Sequence, residues 1–232
     1  MAIRKKNALG ITSGKLGNTV TRIRNGKEVV YNLPDKVNIS QSKNAKASRN
    51  KFALTVRFSK SINSIPALSC VWKSAKVPGT SSFQKLIKYN SKFTSVNNLT
   101  IKNVITPKGF EFNVEEIIYS GDEIQILISS INTRTFNNNT FTPVIYSVLY
   151  FFEPKRTKFK PFSFSSLSND MGEILTMTKI DIHFTLSKTQ KSLFGNYNKC
   201  ILYFAIILSP ESSNNPVWSS SASNILDLAQ NI

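Results

Sequence analysis

The chain's only histidine, His183, lies in the stretch Ile180, Asp181, Ile182, His183, Phe184, Thr185, Leu186. Period-two alternation puts Asp181, His183 and Thr185 on one polar face of a strand and turns Ile182, Phe184 and Leu186 inward. An Asp with a His is half of a proton relay, but no Ser or Cys in a nucleophile motif accompanies it, so the stretch reads as an exposed strand face. One His with two cysteines as distant as Cys70 and Cys200 cannot make a usual zinc site. Both cysteines have apolar neighbours and read as buried free thiols.

Other chemistry is equally thin. Glu115, Glu116, Asp122 and Glu123 form the one dense acidic group and flank the turn at Ser120 and Gly121. They read as loop charge, or in a sharper alternative as a dock for the basic arm of another copy. Their spacing is not that of an EF-hand. The segment from Gly10 to Gly17 approximates a phosphate-binding loop, but it is one residue short between its glycines and has Leu16 where Ser or Thr would hold magnesium. The sequence therefore points to no catalytic residue, no metal ligand and no cofactor.

Basic residues are a different matter. Residues 1–60 carry fourteen Lys and Arg against only Glu28 and Asp35, a net +12 of the chain's +17, which leaves +5 for the other 172 residues. Such a segment seeks a polyanion or an acidic protein surface. The residues singled out for partner or phosphate contact are Arg4, Lys5 and Lys6 near the start, Arg22, Arg24 and Lys27 around a turn, and Arg49, Arg57 and Lys60 on a helix. Zinc-finger spacing, ribonucleoprotein aromatic motifs and helix-turn-helix patterning are all missing, so any nucleic acid would be met through its backbone.

These residues need elements to hold them. Residues 19–24 and 27–33 are short β-type runs around Asn25-Gly26, the strongest short hairpin signal. Residues 41–65 predict one helix with Ser40 or Ser42 as N-cap and Pro66 as its end. Ala47, Leu54, Phe58, Ile62 and Ile65 share an apolar sector about 80° wide, while Lys46, Arg49, Arg57 and Lys60 share another. The glycine-spaced residues 1–17 read as an extended, mobile or partner-ordered leader.

From residue 66 onward the patterning predicts strands at 71–77, 85–89, 99–106, 111–119, 123–131, 143–152, 158–165, 174–186, 200–208 and 218–222, with no convincing helix before the last residues. Runs 143–152 and 200–208 are apolar on both faces, which places them in the centre of a sheet or at a subunit contact. The expected fold is mainly β, a β-sandwich (one large or two tandem immunoglobulin-like units), preceded by a basic β-hairpin and one amphipathic helix. Its segments are 1–38, the basic arm and hairpin; 39–65, the basic helix; 66–154, a β-sandwich unit; and 155–232, a second unit or a continuation of the first. With no apolar run near ~18 residues and no secretory leader pattern, the chain is expected to be soluble, made in the cytoplasm and not bound to membrane.

Gly14-x-x-Gly17-x-x-Val20-x-Arg22, then Gly26-Lys27-x-Val29-Val30 and Pro34, followed by Gln41 and Arg49-x-x-Phe52, resembles an uncharacterised domain family common in Bacteroidota and in phage-related sequences. The resemblance is carried by residues 14–58 and extends weakly to the serine-rich closing segment at 219–223. Where family members often have Thr and Pro before the Gln, this chain has Asn38, Ile39 and Ser40. The resemblance implies a hairpin, a basic helix and an all-β region, with a phage context, and it transfers no catalytic residue.

Two functions are consistent with these features. The first is a non-enzymatic structural or assembly protein of a larger particle, most naturally a phage virion component such as a head–tail connector, tail or capsid-associated protein. Its basic arm would dock on neighbouring subunits, in a homo-oligomer or on other virion proteins, or on nucleic acid. The alternative is a sequence-nonspecific nucleic-acid-binding protein using the same hairpin and helix.

Overall fold

The computed structural model describes residues 2–4, 13–34, 39–107, 109–129, 141–170, 179–210 and 218–228, in which the alternating runs form three antiparallel sheets accompanied by four helices. Mainly β overall, the chain divides into two units, Met1–Lys46 and Ala47–Ile232.

In the first unit, β1 (Ala2–Arg4), β2 (Gly14–Leu16), β3 (Thr19–Arg24) and β4 (Lys27–Asn32) form a sheet of order β1-β4-β3-β2. Asn25 and Gly26, between β3 and β4, have φ of 51° and 72°, the left-handed values a type I′ turn requires at both central positions. Val20 and Val29 are buried. Of the alternatives for residues 1–17, an extended conformation holds for residues 2–4 and 14–16. Backbone groups of residues 2–4 and 14–16 are paired in ladders with β4 and β3, which leaves those stretches less free than glycine content suggests.

The remaining elements are α1 (Lys43–Asn63), α2 (Pro66–Ser74), α3 (Ser82–Asn90), β5 (Val114–Tyr119), β6 (Glu123–Ile128), β7 (Phe141–Pro154), β8 (Phe162–Asp170), β9 (Ile180–Thr185), α4 (Lys188–Asn196), β10 (Tyr197–Pro210) and β11 (Trp218–Asp227). A central sheet of order β11-β10-β7-β8 lies against a smaller one of order β5-β6-β9. Strands β7 and β10 pair along their length, from Phe152 opposite Lys199 to Phe141 opposite Pro210, so the stretches on either side of Pro154 share one sheet. Ile145, Leu149, Phe151, Cys200, Leu202 and Phe204 pack with Ile124, Ile126, Ile182 and Phe184 of the smaller sheet and with Phe194 of α4. The alternate residues Val148, Tyr150, Phe152, Ile201 and Tyr203 meet Leu54, Phe58 and Ile62 of α1 together with Leu68, Trp72 and Leu86 of α2 and α3. Both apolar faces of β7 and β10 are thus covered within the chain.

Strand expectations for 71–77, 85–89 and 99–106 are corrected. Leu68, Val71 and Trp72 are buried at helical spacing in α2, and Pro66, read as a helix end, also opens α2, where its missing N–H costs nothing. Ser81 caps α3 by accepting from the Gln84 N–H at 3.2 Å. Residues 91–107 form an ordered loop whose polar groups bond to side chains instead of to a ladder. The Asn90 amide donates to Val104 O at 3.1 Å, the Asn103 amide to Thr94 Oγ1 at 3.1 Å, and Trp72 Nε1 to Ile105 O at 2.7 Å. A fourth helix, α4, stands where no helix was expected. It starts with a reciprocal capping box between Ser187 and Gln190. The strand expected at 158–165 is shifted to Phe162–Asp170, and residues 130–131 and 174–178 of two other expected strands lie outside the described residues.

Helix α1 starts at an N-cap, Ser42, whose Oγ accepts from the Ala45 N–H at 3.3 Å. Its apolar stripe is anchored by Phe58, whose ring lies 5.0 Å from that of Tyr203. Phe58→Ala should cost about 3–5 kcal/mol in denaturant unfolding, a cavity in a fully buried site. Phe52→Ala, on the same helix but 59% exposed, should change stability by no more than about 0.5 kcal/mol.

Candidate functional site

The pairing register of the first sheet places Lys15, Val20, Arg22, Arg24, Lys27, Val29 and Tyr31 on one face. Arg24 is directly opposite Lys27, and the Arg22 guanidinium lies 5.9 Å from the Tyr31 ring centroid. Like charges directly opposite one another destabilise a strand pair, and a bound anion relieves that repulsion. Among the described residues, no carboxylate forms an ion pair with Arg22, Arg24 or Lys27. Arg4 pairs in register opposite Glu28 as part of β1, while Lys5 and Lys6 lie outside the described residues. The phosphate-loop resemblance at residues 10–17 loses its geometry, because Gly14–Leu16 is strand β2 and Lys15 pairs opposite Val20.

A second concentration of cations lies on the C-terminal unit. Arg57 and Lys60 of α1 meet Lys160, from the β7–β8 connection, around a groove of about 390 Å³ floored by Phe162 and Phe164 of β8. The Arg57 guanidinium lies 5.1 Å from the Phe162 ring centroid, a cation–π contact. Phe162 stands edge-on to Phe164 at 5.8 Å, and Tyr150 packs against both at 6.0 and 5.2 Å, so the floor is held rigidly by the core. Ser61 and Ser64 also line the groove, but each hydroxyl donates back to a helix carbonyl, Ser61 to Phe58 O and Ser64 to Ser61 O, both at 2.8 Å. Among the described residues, no acidic side chain lines it. Arg49 is exposed on the same stripe of α1, about 12 Å along the axis from Arg57 and beyond the groove.

Sequence reasoning placed Arg57 and Lys60 together and missed Lys160, Phe162 and Phe164. A local signal exists: Lys155, Arg156, Lys158 and Lys160 are interleaved with Phe159 and followed by Phe162 and Phe164.

Three of the four residues of the acidic group are paired within the chain. Glu115 pairs with Lys179 at 2.6 Å, Asp122 pairs with Lys191, and Glu123 faces His183 Nδ1 at 3.5 Å. Nε2 of the same ring is 3.2 Å from Asp181, whose two oxygens both accept from Gln125 Nε2 at 2.9 Å. His183 therefore sits between two carboxylates on the exposed face of β6 and β9, an arrangement that holds charge. The Asp181 hydrogen bond, with a smaller contribution from Glu123, raises the imidazole above its ordinary range. Gln125 is the main cause holding the Asp181 carboxyl low. Cys200 is buried and Cys70 half-buried, both as free thiols, and burial pushes the Cys200 thiol well up.

No protein-family model and no curated protein matches the chain. Among solved structures, a β-glucosidase from Kluyveromyces marxianus, solved with selenomethionine, is 11% identical over 60% of this chain and 17% of that one, with a TM-score of 0.17. At that score the likeness carries no argument. No helix among the described residues is long and apolar enough to cross a membrane.

The raised imidazole has a definite sign. Protonated His183 adds stability below pH about 6.5, and that contribution is lost as the pH rises through its folded-state midpoint. The single histidine resonance in a proton NMR titration should have its midpoint above about 6.5, and Asp181→Asn should lower it. A wild-type midpoint at or below that value contradicts the clasp between the two carboxylates.

Proposed function

We propose that this chain is a non-catalytic protein that binds the phosphate backbone of nucleic acid through the basic face of its N-terminal sheet and the basic stripe of α1. A larger particle is the setting, and the resemblance over residues 14–58 makes a phage virion the one we infer. The two C-terminal sheets act as a sandwich scaffold. The observation that carries this reading is the contrast in charge. Arg22, Arg24 and Lys27 face outward without carboxylate partners among the described residues, whereas Glu115, Asp122 and Glu123 are paired inside the chain. That pairing engages part of the negative charge another copy could offer a basic arm, whereas a polyphosphate offers an unbroken row of it.

Docking between subunits is the second reading, in which the protein acts as a connector, tail or capsid-associated component. It is favoured by the edges of the N-terminal sheet: among the described residues β1 and β2 each have a single neighbour, and an open edge is a template for another chain's strand.

Replacing Arg22, Arg24 and Lys27 together with Ala separates the two. Each lost phosphate contact removes about 0.9 from the slope of log affinity against log salt, so the triple variant should lower the slope for duplex DNA by about 2.7. An unchanged slope, with circular dichroism unchanged, would remove the nucleic-acid reading. Loss of oligomers in place of DNA binding would favour docking between subunits.

A further inference from the structure

We infer that the groove between α1 and β8 is a site for one unpaired nucleotide of a single strand, with its base against Arg57 and the Phe162 ring and its phosphate between Lys60 and Lys160. This rests on the nucleic-acid reading above and names the form of nucleic acid the groove takes. Three features carry it together. The groove combines a rigid aromatic floor with three cations from two separate elements and has no acidic lining among the described residues, the pairing of stacking platform and positive rim that single-strand sites use. Its volume of about 390 Å³ lies at the lower end of the range for small-molecule sites, room for one monomer unit. The serine hydroxyls on the α1 side spend their protons on helix carbonyls, so anion recognition falls to the cations and stacking to the rings.

Duplex DNA buries its base faces in the stack, so it can use the cations but not the floor. Arg57 already lies over Phe162, and the outer face of a guanidinium so held is itself a surface on which a base stacks. Arg49 continues the positive stripe beyond the groove, in the direction the rest of a strand would follow.

The test uses the full chain, an oligothymidylate and a duplex of equal length, with fluorescence anisotropy across salt. The wild type should bind the single strand about tenfold more tightly than the duplex. Arg57→Lys keeps the charge but removes the planar stacking surface. It should erase most of that preference, lowering single-strand affinity far more than duplex affinity while the charge, and so the salt slope, is kept. The Lys60→Ala/Lys160→Ala double variant, which removes both phosphate contacts, should lower the single-strand slope by about 1.4, or 0.7 per lost contact. Both positions are exposed, and thermal melts check that the variants remain folded.

Equal affinity for the two forms, or an Arg57→Lys variant that keeps the preference, overturns the inference. So does thymidine monophosphate competing as well as the oligonucleotide at equal nucleotide concentration, which would make the site one for free nucleotides. If the Arg22, Arg24 and Lys27 variant loses binding and the groove variants do not, the nucleic-acid reading stands and this inference fails. If neither form binds, both fail.

Discussion

A strand that is apolar on both faces cannot remain at a surface, and the antiparallel pair β7–β10 imposes that condition on the whole C-terminal unit. One face of the pair needs the β5-β6-β9 sheet and α4, and the other needs α1, α2 and α3. Phe58 and Leu54 dock α1 on the sheet, and that contact turns Arg57 and Lys60 away from the core toward the start of β8, where Lys160 and Phe162 wait. The groove is thus a by-product of how a two-sided sheet is covered. The same requirement shapes the 91–107 loop, where Tyr150 and Tyr203 place their hydroxyls on Asn98 Oδ1 and Thr100 O at 3.2 and 2.8 Å.

Charge follows the opposite logic. Acidic side chains of the C-terminal unit are few, and most of the dense group is matched to Lys179, Lys191 or His183 at exposed strand ends. Cations outnumber them, and those on β3, β4 and α1 are left facing solvent. Exposed pairs add little to stability, so the ion pairs matter here chiefly for the negative charge they withdraw from any other copy of the chain. A protein at +17 has self-repulsion to relieve, and most of its dense acidic group is already matched within the chain.

Where a pattern was long and strong, the sequence was readable. The helix expected at 41–65 is Lys43–Asn63, and the two apolar runs at 143–152 and 200–208 lie at the heart of β7 and β10. Short helices escaped because nine residues hold too few turns to outweigh β-type composition. Lys85 to Tyr89 is expected as a strand, yet the burial of Leu86 and Asn90 follows helical spacing. The Ser187–Gln190 capping box was a local signal present in the sequence and overlooked. The groove was half legible. Arg57 and Lys60 follow from helix periodicity, but Lys160 and Phe162 join them only through long-range packing of β8 beside β7, which no local window encodes. Of two readings that pointed to contact between copies, the two-sided strands are covered inside the chain, whereas the acidic turn is paired there only in part.

The most direct test of the nucleic-acid account is the mass of the full chain in solution at about 150 and 500 mM salt, with and without random-sequence DNA in single- and double-stranded form. The account predicts a mass for the protein alone that does not change with salt, a shift onto DNA at the lower salt and release at the higher. A discrete large oligomer whose mass ignores added DNA at both salt concentrations would contradict it.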